Sequence, residues 1–310
     1  MKLKTALVQM SAGADKEANV AKARGMVERA ARKGARFVLL PEVFSFVADA
    51  SLWREAAETI PGPTSRRLAA LARKLRIHLL AGSILESSYV GGDPCVPPLV
   101  VSRSSRRKEG PHMGGPLQEK RDRCSNTSLL IAPSGRVVGR YRKMHLFTVR
   151  LPDGVVFDEI DHTAPGERPA VAKTPFGRVG LTICYDARFP ELYRALMLMG
   201  ADIVTVPSAF TAFTGRAHWE VLLRARAIEN QVFVLAPNQV GTSATGVEFY
   251  GHSLVVDPWG TVLAEGSERE EIVFAEIDTA RIREVRGRLL ALRHVRRDIL
   301  DRLSGLHRRR

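Results

Sequence analysis

The chain has 310 residues, 45% hydrophobic and 26% charged, with 47 lysines and arginines against 33 acids and a formal net charge of +14. That length buries a sizeable core without staples, and the composition excludes a disordered or fibrous chain. Cys95, Cys124 and Cys184 are odd in number and contain no Cys-x-x-Cys pair, which argues against a disulfide framework and a structural zinc site.

The positive charge is concentrated. Residues 281–310 hold eleven Arg against three acids, and residues 103–123 hold seven bases against three acids. The remaining body is close to neutral, so no basic groove is implied and nucleic acid is not an expected partner. A weakly charged stretch, Met197 to Phe213, is interrupted by Asp202 and Pro207 and is too short to span a bilayer. The first ten residues alternate like a strand and lack the apolar run of a signal peptide. A soluble, cytoplasmic protein is the expectation.

In chain order, Thr5 to Met10 reads as a strand. Asn19 to Lys33 then places Val20, Ala23, Val27 and Ala30 on one helical face before Gly34. Phe37 to Leu40 is a short buried strand closed by Pro41. Thr64 is the expected cap of a helix running to Leu75, and His78 to Leu85 is the next strand. Residues 86–123 are rich in Gly, Pro, Ser and Arg without periodicity, which predicts a long flexible insertion. Ser128 to Ala132 and Val137 to Tyr141 form a hairpin around Pro133-Ser-Gly135. Strands over Val179 to Ile183, Ile203 to Val206 and Val232 to Ala236 alternate with helices over Glu191 to Met199 and Ala217 to Glu229. His252 to Asp257 and Thr261 to Ala264 pair around Pro258-Trp-Gly260, Ile272 to Ile277 is the last strand, and a basic helix is expected from Thr279 to Leu303. The alternation predicts an α/β fold, with one domain over 1–280 followed by a basic helix and tail over 281–310.

Three residues could carry chemistry, and each alone is bland. Cys184 ends an apolar strand, Glu42 follows another strand end after a proline, and Lys143 follows a hairpin strand. Carboxyl ends of strands are where open α/β sheets build their sites, yet a lone cysteine there is more often inert core. A thiol nucleophile, a carboxylate base and a cation beside a developing oxyanion are what amide or nitrile hydrolysis requires.

Leu39-Leu-Pro-Glu42, Arg140-Tyr-Arg-Lys143-Met-His-Leu-Phe147 and Ile183-Cys184-Tyr-Asp-Ala-Arg188-Phe-Pro-Glu191 resemble, in order and spacing, the three signature blocks of the nitrilase superfamily of carbon–nitrogen hydrolases. The resemblance covers about residues 3–280 and extends to Asn126-Thr-Ser, Pro207-Ser-Ala-Phe210, Ala217-His-Trp-Glu and Asp257-Pro-Trp-Gly260. It implies a four-layer α-β-β-α sandwich that needs no metal or cofactor and assembles as a homodimer or larger homo-oligomer, with the helix beginning at Glu191 as the expected interface. It also implies Cys184 as nucleophile, Glu42 as base, and an oxyanion site from Lys143 and the Tyr185 backbone N–H. Glu159 matches a second glutamate beside the lysine, with Asp158 as its neighbour.

The blocks look most like the Nit branch, whose members are ω-amidases and amidases of deaminated glutathione. Such a substrate joins a terminal amide to a carboxylate, for which Arg188 is the expected cation, with Phe210 and Thr214 matching pocket positions. An N-carbamoyl amino acid amidohydrolase or a nitrilase would use the same triad. Cys184 paired with His145, His218 or His252 would make a different hydrolase, and a binding protein acting through the Arg-rich tail would be no enzyme at all. The insertion and the extended C-terminus depart from the family pattern.

Overall fold

The strand Lys2–Gln9 shows how the sequence sorts its side chains between two cores. Leu3 and Leu7 face one, while Ala6 and Val8 face the other, because successive strand residues leave opposite sides of the sheet. Phe37 and Leu39 against Val38 and Leu40, and Leu80 against Leu79, repeat the division.

The computed structural model describes residues 1–87, 123–150, 156–296 and 298–299. In chain order its first elements are β1 (Lys2–Gln9), α1 (Lys16–Arg32), β2 (Phe37–Leu39), α2 (Trp53–Ala56), α3 (Pro63–Leu75), β3 (His78–Leu80) and β4 (Ile84–Glu86). Next come β5 (Ser125–Ile131), β6 (Val137–Arg142), β7 (Thr148–Arg150), β8 (Val156–Asp158), β9 (Ala170–Thr174), β10 (Gly177–Leu181) and α4 (Pro190–Leu198). The chain continues through β11 (Ile203–Thr205), α5 (Ala212–Asn230), β12 (Phe233–Ala236), β13 (Val240–Thr242) and β14 (Glu248–Tyr250). It closes with β15 (Leu254–Val256), β16 (Val262–Glu265), β17 (Glu271–Asp278) and α6 (Ala280–Arg288).

One sheet runs β17-β1-β2-β3-β5-β4 with β6 also on β5, and the second runs β16-β15-β12-β11-β10-β9. Their contact is close: a Cβ on Gly139 of β6 would meet Ala172 and Leu181 of the other sheet, and the Phe37 and Phe176 rings lie 5.2 Å apart. Val20, Ala23 and Val27 of α1 and Leu68 and Leu71 of α3 cover the outside of the first sheet. Leu192 and Leu196 of α4 and Trp219 and Leu223 of α5 pack with the second. The result is a four-layer α-β-β-α sandwich. β1, β2 and β3 are mutually parallel, as are β10, β11 and β12, so their carboxyl ends gather in rows.

Several expectations need correction. The α3 cap is Gly62, not Thr64. Pro63 has no N–H to offer and occupies the first helical position, so Thr64 already lies inside the first turn, where its N–H donates to the Glu58 carboxylate at 3.1 Å. The α5 helix starts five residues earlier than Ala217, so Thr214 stands on a helix. The basic helix ends at Arg288, and Leu289 is extended before a 3-10 turn over Leu290–His294. Only Ile282 and Val285 of α6 are buried, so a longer helix would have no apolar face to hold it. Of the insertion expected at 86–123, residues 88–122 lie outside the described residues, as does the tail from 300. Its first residue belongs to the sheet: buried Glu86 ends β4 and is held by Thr127, Arg140 and Arg142.

Gly82 sets the approach of β3 to β2. It holds φ at 53°, and a Cβ there would overlap the Pro41 carbonyl oxygen. The neighbouring Ser83 Oγ then accepts the Val43 N–H at 2.9 Å, which fixes the backbone beside Glu42. Gly82→Ala is expected to lose about 3 kcal/mol or more of stability, read as a lower urea midpoint at unchanged slope.

Candidate active site

Glu42, Lys143 and Cys184 each lie just past the end of a strand: β2, β6 and β10. The two sheets bring these ends together. Cys184 adopts φ 45°, a left-handed conformation that is strained for a residue with a Cβ, directly after extended Ile183. Its N–H donates to the Pro207 carbonyl at 3.0 Å, and a 3-10 turn over Cys184–Arg188 follows. The chain therefore turns sharply at the thiol.

The Lys143 ammonium donates to Glu42 Oε1 at 2.8 Å and to Glu159 Oε2 at 2.7 Å. All three residues are at most 4% exposed. Asn126 splits its amide hydrogens between Glu42 Oε1 at 2.8 Å and Glu159 Oε1 at 3.2 Å. Backbone N–H groups complete the set, Ala209 on Glu42 Oε2 at 2.8 Å and Phe147 as a second donor on Glu159 Oε2 at 2.9 Å. Of the two adjacent acids, Glu159 reaches the lysine, whereas Asp158 accepts from Thr148 and the Ile160 N–H.

These contacts set the proton inventory. Burial disfavours the Lys143 ammonium, but the charges of Glu159 and Glu42 outweigh it and hold the lysine well above its ordinary pKa. Burial also drives the Cys184 thiol well above the usual range, reinforced by the Glu42 charge and hydrogen bond and opposed by Lys143 and the Ala209 N–H. The resting pair is thus a neutral thiol beside a carboxylate. Cys124, by contrast, is pushed up to about 11 chiefly by burial and donates to the His162 carbonyl at 3.5 Å.

The histidines are turned elsewhere. His145 Nδ1 contacts Asp186 at 2.7 Å, His218 Nδ1 contacts Arg188 at 3.2 Å, and His252 Nδ1 contacts Glu265 at 2.9 Å. The charges that act on the thiol are those of Glu42 and Lys143, with no imidazole among them. The Arg188 guanidinium lies over the rings of Phe210, 5.1 Å to the centroid, and Tyr185, 5.7 Å. No carboxylate among the described residues pairs with it. Thr214 is half-buried and shares a hydrogen bond with Thr211 at 3.0 Å. Among the described residues no cluster of three or more His, Cys, Asp or Glu could hold a metal ion, and no helix is long and apolar enough to cross a membrane.

Sequence reasoning assigned no role to Asn126, Ser83, Gln239 or Asp186. Gln239 Nε2 donates to the Glu42 carbonyl at 2.9 Å. The available signal was Ser125-Asn-Thr-Ser128, a polar run opening an otherwise apolar strand whose every residue is buried.

The chain matches the carbon–nitrogen hydrolase family over residues 4–287, and it belongs to that family. It is similar to the deaminated glutathione amidase of Synechocystis sp., 37% identical over 93% of this chain and 96% of the relative. It is likewise similar to the omega-amidase NIT2 of Homo sapiens, 34% identical over 95% of both chains. Among solved structures, the C. elegans NitFhit protein superposes with a TM-score of 0.80 at 36% identity; the match covers 96% of this chain and spans 66% of that one.

Because Glu42 raises the thiol pKa, replacing it by Gln should lower it. The pH at which Cys184 becomes reactive to iodoacetamide should therefore fall in Glu42→Gln while turnover is lost. Peptide mass spectrometry of Cys184 alkylation across pH measures this, and a midpoint at or above that of the parent protein would contradict the assignment.

Proposed function

We propose that the chain is an amidase that hydrolyses the terminal carboxamide of a small carboxylate-bearing molecule to the acid and ammonia, through a thioester on Cys184. The observation that carries this reading is the buried Glu42–Lys143–Glu159 cluster, whose Glu42 and Lys143 charges both act on the Cys184 thiol.

The reaction follows from the proton inventory. As Cys184 Sγ attacks the amide carbon, its proton passes to Glu42, so thiol activation adds no charge to a buried site. The carbonyl oxygen becomes negative beside the Lys143 ammonium and the Tyr185 backbone N–H. Lys143, kept charged by Glu42 and Glu159, serves the oxyanion in this scheme while Glu42 carries the proton. Glu42 returns its proton to the departing nitrogen, ammonia leaves, and the thioester remains. Water then attacks the thioester, Glu42 takes its proton, and release of the acid restores the thiol. Glu159 holds the ammonium in place throughout.

Arg188 supports a carboxylate-bearing substrate. It is a guanidinium without an acidic partner among the described residues, flanked by Phe210 and Tyr185, in the turn that begins at Cys184. Thr214 and Phe210 complete the pocket in this reading. The names of the relatives, amidases of deaminated glutathione and of ω-amides, agree with it. Exposed Leu198, Met199, Val221 and Ile228 support pairing through α4 and α5 with a second copy of the chain, and a monomeric mass by light scattering would overturn that.

Ammonia release should be greatest with deaminated glutathione, α-ketoglutaramate and α-ketosuccinamate, compared with an N-carbamoyl amino acid and a simple nitrile. Cys184→Ala should lower turnover about 10⁴-fold or more with the fold retained. Arg188→Lys should cost about tenfold or more in kcat/KM on carboxylate-bearing amides and little on uncharged ones. Equal losses on both would make Arg188 structural, and preference for the carbamoyl compound or the nitrile would keep the triad but overturn the substrate class.

A further inference from the structure

Asp186 is fully buried and lies two residues after the nucleophile. Its carboxylate accepts four hydrogen bonds from two separate segments. Oδ2 takes the Tyr141 hydroxyl at 2.7 Å and the Ile183 N–H at 2.8 Å. Oδ1 takes the His145 backbone N–H at 3.2 Å and contacts His145 Nδ1 at 2.7 Å. Tyr141 and His145 flank Lys143 on either side, and Ile183 immediately precedes Cys184. The Tyr141 oxygen in turn accepts the Met144 N–H at 3.2 Å, so the loop carrying the lysine is tied at three successive points. The His145 ring stacks on Phe189 at 3.7 Å between centroids, just beyond the nucleophile turn.

We infer that Asp186 is a positioning residue for the hydrolysis: by joining both flanks of Lys143 to the residue before Cys184, it fixes the distance between the nucleophile and the oxyanion cation. This rests on the roles proposed above for those two residues. The chemistry selects a carboxylate. All four partners are donors, and an ionised carboxylate is the side chain that offers acceptors only. An amide would turn its NH2 toward one pair of donors and break that side of the tie. A displacement of this kind between reacting groups is worth on the order of 100-fold in rate. The strained backbone at Cys184 makes the tie more consequential, because the turn has no intrinsic preference for its conformation.

The test uses the full chain with Asp186→Asn, Tyr141→Phe and the double variant. In Asp186→Asn kcat should fall on the order of 10- to 100-fold with KM changed about twofold or less, at a temperature where circular dichroism reports an intact fold. Tyr141→Phe should add little in the Asp186→Asn background, because both variants cut the same tie. A second readout needs no turnover: the ratio of Cys184 alkylation rates with iodoacetamide, whose carbonyl can reach the oxyanion site, and with methyl methanethiosulfonate, which has none. Any change in thiol pKa cancels in that ratio, so a fall in Asp186→Asn reports displacement of Lys143 from Cys184. An unchanged ratio in a folded variant overturns the inference, as does full additivity of the two substitutions. If the parent chain releases no ammonia from any amide, the amidase reading fails, and the alkylation ratio alone decides the role of Asp186. If Asp186→Asn does not fold, Tyr141→Phe carries both readouts.

Discussion

The arrangement of the site depends on one ammonium buried between two carboxylates. Lys143 alone would be driven to neutrality by burial, and Glu42 or Glu159 alone would be costly to keep ionised. Together they are stable because every carboxylate oxygen finds a donor: the lysine, the Asn126 amide, and the backbone N–H groups of Ala209 and Phe147. Burial, reinforced by the neighbouring Glu42 charge, keeps the adjacent thiol protonated. In the proposed mechanism, nucleophile activation is therefore coupled to Glu42 and not to a pre-formed thiolate, which suits a site that must also protonate departing ammonia.

The four layers exist, in functional terms, to bring three strand ends to one place. Glu42 comes from the first sheet through β2, Lys143 from its β6, and Cys184 from the second sheet through β10. Close approach of the sheets, as at Gly139, lets side chains from different layers meet. The carbon–nitrogen hydrolase membership of the chain agrees with this geometry.

Much of this was legible in the sequence because strong patterns carry it. Alternation in β1, the one-sided face of α1 and the three blocks around Glu42, Lys143 and Cys184 all register locally. What was not legible depends on partners far apart in sequence or on backbone conformation. Nothing around Cys184 announces φ 45°, since the residue is not glycine. Asn126 is ordinary until the fold sets Glu42 and Glu159 on either side of it. The sequence pattern overstates the basic helix because arginine has good helix propensity, whereas the actual end is decided by the lack of burial beyond Val285.

The pairing of β1 with β17 has a consequence for how the molecule is made. These strands run antiparallel over eight residue pairs, from Lys2↔Asp278 to Gln9↔Glu271, and β17 is the outer neighbour of β1. During synthesis the first strand emerges long before its partner. Until β17 leaves the ribosome, β1 presents an open row of backbone donors and acceptors, the kind of edge that invites pairing with other chains. Closure of the first sheet is thus a late event with high contact order. The nascent chain has most need of chaperone shielding during that interval, and the site between the two sheets matures only when the last strand docks.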